Sequence, residues 1–430
     1  MRYLIIGNSA AGISAAKSIR KADRNGIITI VSDEGEYGYS RIAIPEIIKG
    51  KFSKDKVTLC HEDFYTSLDI RLRINSMVKS IDPEKNTVVL DDNRKLTYDK
   101  LLIASGASPL FPDIKGIDKD GIYGVRNLKD LEKIKSGLSQ GKRVTILGGG
   151  LVGLKTAEAL VKLGYKITII ELLDRILPLR LDHICSEMLT EEVTSQGIRI
   201  ILNSTIQEIL GRERVESVIV NEERIPTDIL IMAIGVKPNC DFLADSKIEI
   251  QDGIMVNDYL QTNIENIYAA GDVAVIKDII SGKHLNIPIW PEASIQGRIA
   301  GLNMAGIRQE YSGGMAMNSI KVFNLPIISF GYIQEDREMG YDEVVRYLPK
   351  DRWYRRMIFR ENRLRGAIFV GEIKPAGIAQ WLIRKDIEIP EEKRRLLMEK
   401  DFDFAKISSG LHIKIREIYS ENRSREMYCM

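Results

Sequence analysis

Glycine turns followed by acid recur twice at a similar spacing along this chain. Gly7-Asn8-Ser9-Ala10-Ala11-Gly12 follows the apolar run Tyr3-Leu4-Ile5-Ile6, and Gly148-Gly149-Gly150-Leu151-Val152-Gly153 follows Val144-Thr145-Ile146-Leu147. Acid stands about 20 residues beyond each turn, Asp33 (with Glu34 beside it) after the first and Glu171 after the second. The chemistry of such a unit is anion binding. Its glycines let the backbone approach a pyrophosphate, the helix that follows aims its first N–H groups at the charge, and the acid accepts hydrogen bonds from a ribose. Two such sites in one chain suit a flavin and a nicotinamide dinucleotide, so that hydride can pass between them. Gly148, Gly150 and Gly153 complete the second turn, whereas Ser9 replaces the middle glycine of the first. Glu171 repels a 2′-phosphate and so predicts NADH over NADPH, with Arg175 near enough to keep NADPH in play.

The elements that must position these residues read as strand, glycine turn, helix and second strand, twice over. The expected class is α/β: two doubly wound Rossmann-like dinucleotide-binding domains plus a C-terminal α+β interface domain. Pro109 and Pro112 mark a linker, and from about Met315 alternating stretches such as Gly366-Ala367-Ile368-Phe369-Val370 predict an antiparallel sheet. The expected boundaries are 1–115 with 246–314 for the first domain, 116–245 for the second, and 315–430 for the third. From Pro390 the charged tail is expected to be helical.

At 430 residues there is room for two or three domains, and an apolar content of 44% supports real cores. Lys and Arg total 62 against 60 for Asp and Glu, which gives no basic surplus for nucleic acid. No apolar run is long enough to span a bilayer, and no signal-peptide core precedes Gly7, so a cytoplasmic protein is expected. Cys60, Cys185, Cys240 and Cys429 are scattered, as are the four histidines, so neither a redox dithiol nor a metal site is expected.

With these turns, Ala104-Ser105-Gly106, Gly235-Val236-Lys237-Pro238-Asn239 and Ala270-Gly271-Asp272 stand in the order seen in the FAD- and NAD(P)-dependent pyridine nucleotide oxidoreductases, which the chain resembles over about residues 1–310. Tyr39-Ser40-Arg41 and Met317-Asn318-Ser319-Ile320-Lys321-Val322-Phe323 resemble the branch that holds NADH:rubredoxin reductases, NADH oxidases and nitrite-reductase flavodomains. The resemblance implies FAD on the first unit, NAD on the second and a homodimer through the third. It implies that Gly7, Ser9, Ala11 and Gly12 hold the FAD pyrophosphate, Asp33 or Glu34 its adenosine ribose, and Arg41 and Arg126 its phosphates. Val78 would meet the adenine by its backbone, Asp272 the ribityl hydroxyls and Trp290 the flavin pyrimidine. Ala104, Gly106, Gly235 and Gly271 belong to the same motifs.

Two departures bear on the chemistry. Thiol-using relatives carry a redox cysteine in the stretch that here reads Arg41-Ile42-Ala43-Ile44-Pro45, with no sulfur, which disfavours disulfide and peroxide reduction. Relatives also pair a lysine at the position of Glu46 with a glutamate at the position of Lys155. Here both signs are reversed, and a swapped pair close to the flavin and the nicotinamide is expected. The expected activity is electron transfer between NADH and a small iron–sulfur protein or partner subunit by way of FAD. Arg346, Lys350, Arg352, Arg355, Arg356 and Arg360 are candidates for steering an acidic carrier. The alternatives are an NADH oxidase reducing O2, and a non-turnover flavoprotein whose NADH-bound form changes partner binding.

Overall fold

The computed structural model describes residues 1–334, 340–400 and 402–410. The chain divides into two compact units, one made of Met1–Ile176 with Thr194–Ala316, the other of Leu177–Val193 with the chain from Met317 onward.

The first unit holds two parallel five-stranded sheets. One runs in the order Ile267–Ala269, Lys100–Ile103, Arg2–Ile6, Ile27–Val31, Ile70–Arg73. Its central strand, Arg2–Ile6, is buried from Tyr3 onward, in a core shared with helices Ala10–Ala22 and Trp290–Met304 and with Val78, Ile81, Val88 and Leu90 of a three-stranded antiparallel sheet, which is why it reads as an unbroken apolar run. The outermost strand, Ile267–Ala269, comes from far along the chain and pairs with Lys100–Ile103, so this module is discontinuous. The other sheet runs Arg199–Ile201, Lys166–Ile170, Arg143–Leu147, Ile229–Met232, Ile122–Gly124. Both central strands end in a glycine turn that opens a helix, Ala10–Ala22 in one case and Leu151–Val161 in the other. Strand Ala107–Pro109 pairs antiparallel with Val236–Pro238 and stitches the modules together.

Helix Ala10–Ala22 lies against helix Trp290–Met304, and the contact is close because Gly297 and Gly301 sit in the seam. A Cβ on Gly297 would fall 2.1 Å from the Ala11 carbonyl oxygen, and one on Gly301 2.5 Å from that of Ala15.

The second unit is an antiparallel five-stranded sheet, in the order Met317–Val322, Leu325–Gly331, Arg363–Val370, Trp353–Arg360, Asp342–Leu348, flanked by helices. Leu177–Val193 lies within the expected nucleotide module yet joins this unit through buried polar contacts. Asp182 accepts from the Tyr354 hydroxyl, and Glu192 accepts from the Asn324 N–H at 2.9 Å and from Arg352 at 2.7 Å. The tail adds a 3-10 helix, Glu391–Met398, and a helix, Phe404–Gly410; the rest of the expected tail helix, with Cys429, lies outside the described residues.

The arginines proposed to steer a carrier have other work. Arg355 is fully buried among Trp353, Phe369 and Phe402, and donates to the Leu397 carbonyl at 2.9 Å. Burial lowers its pKa to about 10. Arg356 is buried between Asp182 and Glu343, Arg352 pairs with Glu192, and Arg346 donates to the Met398 carbonyl at 3.1 Å. Arg355 and Arg356 are thus buried inside the unit and cannot face a carrier, whereas Arg346, Lys350, Arg352 and Arg360 are exposed. Among the described residues no helix is long and apolar enough to cross a membrane, and no group of three acidic, His or Cys side chains is placed to hold a metal ion.

Candidate active site

Gly7 ends the first strand at φ +113°, a conformation in which side chains are strained, and a Cβ there would overlap the Ala104 carbonyl oxygen at 2.1 Å. The turn opens onto a cavity of about 620 Å³. Gly7, Ser9, Ala11, Asp33, Glu34, Arg41, Val78, Ala104, Gly106, Arg126, Gly271, Asp272 and Trp290 all line it. Thirteen positions scattered from Gly7 to Trp290 thus meet around one hollow. Gly12 lies one helical turn deeper, where its lack of a side chain lets the helix close onto the Gly7 carbonyl.

Charges in the cavity are already ordered. Glu34 accepts from Arg41 and from the Tyr39 hydroxyl at 2.6 Å, while Asp33 is exposed on the cavity wall. Of the two acids, Asp33 therefore has its carboxylate open to a ribose. Arg41 also reaches the Ser9 hydroxyl at 3.3 Å, which ties the residue that replaces the middle glycine to a cation on the cavity wall. Arg126 pairs with Asp272 and donates to the Ala107 carbonyl at 3.0 Å. Sequence reasoning passed over Asn8, Ser76 and Phe242, which also line the cavity. Asn239, expected only as part of a motif, donates to the Ser105 carbonyl at 2.9 Å and locks the Ala104–Gly106 turn to the Gly235 segment.

The second turn repeats the geometry. Gly148 has φ +112°, and Glu171 closes the cradle by accepting from the Gly149 N–H at 2.7 Å and the Leu173 N–H at 3.0 Å. Arg175 pairs with Asp174 at 2.9 Å. A Cβ on Gly150 would meet only the Ala233 carbonyl, at 3.9 Å. The fold thus tolerates a side chain at the middle position, which is why Ser9 can stand there in the first turn. Gly235, at φ +127°, accepts from the Leu110 N–H at 3.0 Å where the two modules are stitched.

Glu46 and Lys155 sit in one charge network: burial would raise the Glu46 pKa, but the bond from Lys49 and the charges of Lys49, Lys155 and Lys51 lower it. Glu46 pairs with Lys49 at 2.8 Å and Lys51 at 3.6 Å, whereas Lys155 pairs with Glu158. The two are linked through Lys49, which also reaches Glu158 at 3.3 Å. Several lysines within one turn of each acid offer alternatives that spacing alone does not rank.

In the stretch Arg41–Pro45, where thiol-using relatives carry a redox cysteine, Arg41 and Ile42 line the cavity, Ile42 with 70% of its surface exposed. Cys60, Cys185 and Cys240 are buried, and burial raises all three thiols, Cys240 to about 11. A low-pKa thiolate is the form that attacks disulfides, and these sites oppose it.

A cavity built on a glycine turn, with a free acid at the ribose distance and cations above the turn, fits FAD. The second turn with its own acid fits a nicotinamide dinucleotide. Fold and site together define a two-dinucleotide flavin oxidoreductase. The chain belongs to the pyridine nucleotide-disulphide oxidoreductase family, whose description matches residues 1–297, and a rubredoxin NAD+ reductase C-terminal domain matches 317–387. FAD and NADH are the cofactors of this family.

The chain is 32% identical over 398 residues to the NADH-dependent phenylglyoxylate dehydrogenase subunit epsilon of Aromatoleum evansii, covering 91% of this chain and 94% of that one. It is 30% identical over 401 residues to the NAD(P)H nitrite reductase of Bacillus subtilis (strain 168), covering 93% of this chain but 49% of that one, so it spans about half of that relative. Among solved structures, the NADH:rubredoxin oxidoreductase from Clostridium acetobutylicum superposes with a TM-score of 0.75 at 30% identity, covering 90% of this chain and 96% of that one.

Proposed function

We propose that the protein is an FAD-dependent NADH:acceptor oxidoreductase that passes electrons between NADH and a small iron–sulfur protein or partner subunit. The observation that carries this reading is the Arg41–Pro45 stretch, which reaches the cavity through Arg41 and Ile42 and holds no sulfur, beside two glycine-turn dinucleotide cradles. In the same reading residues 1–115 with 246–314 bind FAD, 116–245 bind NAD, and 315–430 form the interface domain of a cytoplasmic homodimer.

Bound FAD would supply the redox chemistry, two-electron exchange with a nicotinamide and one-electron exchange with a carrier. The chain's own residues bind and orient. The Gly7–Gly12 turn with Arg41 and Arg126 takes the flavin pyrophosphate, Asp33 the adenosine ribose, Val78 the adenine, and Asp272 with Trp290 the flavin end. Gly148–Gly153 takes the nicotinamide pyrophosphate and Glu171 its adenosine ribose. Because both Glu171 oxygens accept backbone N–H bonds, the carboxylate is fixed in place, and a 2′-phosphate would meet its charge.

Anaerobic titration with NADH tests the reading. Bleaching of the flavin band, followed by reoxidation by ferredoxin or rubredoxin faster than by air, is the expected result. Air as the best oxidant would make the protein an NADH oxidase. Slow bleaching with no acceptor turning over would favour a role in NADH-dependent partner binding, and no bleaching at all would end the proposal.

A further inference from the structure

The two glycine turns sit on different sheets, so the placement of one dinucleotide against the other depends on contacts between the modules. Helix Ile44–Ile48 packs on helix Leu151–Val161. The first continues from Arg41 and Ile42 on the cavity wall, and the second opens on the Gly148–Gly153 turn.

Charge concentrates at this seam. The Glu158 side chain, 5% exposed, accepts from Lys155 and from Lys162 at the end of its own helix, the latter at 2.9 Å, and forms an ion pair with Lys49 of the opposing segment at 3.3 Å. Lys49 is itself only 12% exposed and bonds back to Glu46. Charges therefore alternate from Glu46 through Lys49 and Glu158 to Lys155, and the Lys49–Glu158 contact crosses between modules. Burial alone would raise the Glu158 pKa, but the bonds from Lys155 and Lys162 and the charges of Lys155 and Lys49 hold it down at about 2. Glu158 is thus an anion throughout the neutral range, unsuited to giving or taking a proton. Its work is to hold cations in place.

We propose that Lys49 and Glu158 are a positioning pair that fixes the nicotinamide-side helix against the flavin-cavity wall, and that hydride transfer depends on this contact. The inference rests on the oxidoreductase reading above. Hydride transfer is steeply sensitive to the approach of its partners, and a misplacement of about 1 Å far from the chemistry can cost on the order of a hundredfold in rate. The helix that carries Glu158 also carries the turn for the nicotinamide pyrophosphate, so a shift at the seam moves the bound dinucleotide as a body. Lys155 lies between the two.

The test uses the full FAD-loaded protein with Glu158→Gln, Lys49→Met and the double variant, mixed rapidly with NADH without oxygen. The flavin reduction rate, the NADH dissociation constant, the long-wavelength charge-transfer absorbance, FAD affinity and melting temperature are all read. Each single change is expected to slow reduction about tenfold to a hundredfold and to dim the charge-transfer absorbance, with FAD affinity within about twofold of wild type. The double variant should be no slower than the worse single, because one contact has been removed twice. Lys49→Arg should keep most of the rate. Reduction at the wild-type rate in Glu158→Gln, additive single effects, or a loss that follows FAD affinity or melting temperature would each overturn the pairing. A wild-type protein that NADH does not bleach would overturn the oxidoreductase reading, and the pair's role with it.

Discussion

Replacing Gly297 with alanine tests the most demanding contact in the first unit. A generic Gly→Ala change inside a helix gains up to about 1 kcal/mol. Here the new methyl would lie 2.1 Å from the Ala11 carbonyl oxygen and 2.7 Å from its Cα, where ordinary contact begins near 3.4 Å. Both obstructing atoms are backbone, so no side chain can swing aside and the two helices must part by roughly 1 Å, enough to forfeit a quarter to a half of each contact across the seam. Overpacking of this kind costs about 1–3 kcal/mol and occasionally more, and a backbone obstruction belongs at the upper end. A net loss of about 2 kcal/mol should remain, and at 2–4 °C per kcal/mol that lowers the melting temperature by about 4–8 °C.

Because helix Ala10–Ala22 carries the first glycine turn on its N-terminus, the same displacement should weaken FAD binding by about tenfold. Melting curves of FAD-loaded and stripped protein, with fluorescence titration of FAD into the stripped form, measure both effects. Gly301→Ala should add little to Gly297→Ala, since helices already parted accept the second methyl. Gly377→Ala serves as the control: a Cβ there meets nothing within 4 Å, so melting should stay level or rise. If Gly297→Ala melts no lower than wild type and retains its FAD affinity, the close helix contact does not set the cofactor turn and the reasoning fails.

Three further outcomes are expected. Gly150→Ser should leave melting unchanged, because the fold leaves that Cβ free to within 3.9 Å of the Ala233 carbonyl, while raising the NADH dissociation constant in titrations; an unchanged constant would mean the pyrophosphate does not approach this turn. In a Cys429→Ser background the three buried thiols should react slowly with a disulfide reagent at neutral pH, and alkylation should leave NADH-driven bleaching intact; loss of bleaching would reinstate a redox thiol. Glu158, with a folded pKa lowered from 4.5 to about 2, contributes stability that is complete above the unfolded value and drains away as pH falls through that window. This amounts to roughly 3 kcal/mol, so wild-type protein should lose more stability from neutral pH to pH 2 than Glu158→Gln does, and parallel acid curves would contradict it.

What the sequence made legible was whatever a local spacing dictates. The turns at Gly7–Gly12 and Gly148–Gly153, their strands and the acids beyond them follow from two requirements: a positive φ at the strand end and a helix end aimed at an anion. Both are properties of a few consecutive residues. Cavity residues as distant as Val78, Arg126 and Trp290 came from resemblance, since only the completed sheet brings them to Gly7. Charge pairing was not legible for a related reason. Glu46 has Lys49 and Lys51 within reach, Glu158 has Lys155 and Lys162 on its own helix, and which ammonium crosses the seam depends on how two helices pack. The arginines of the C-terminal sheet show the same limit from the other side. Arg355 and Arg356 look like surface charge in a strand of alternating character, yet a tail that returns over the sheet turns one into a cap for backbone carbonyls, and Asp182 from a distant segment neutralises the other. A charge in sequence announces that something must answer it, and only the tertiary fold decides whether the answer is a partner, a cofactor or the chain itself.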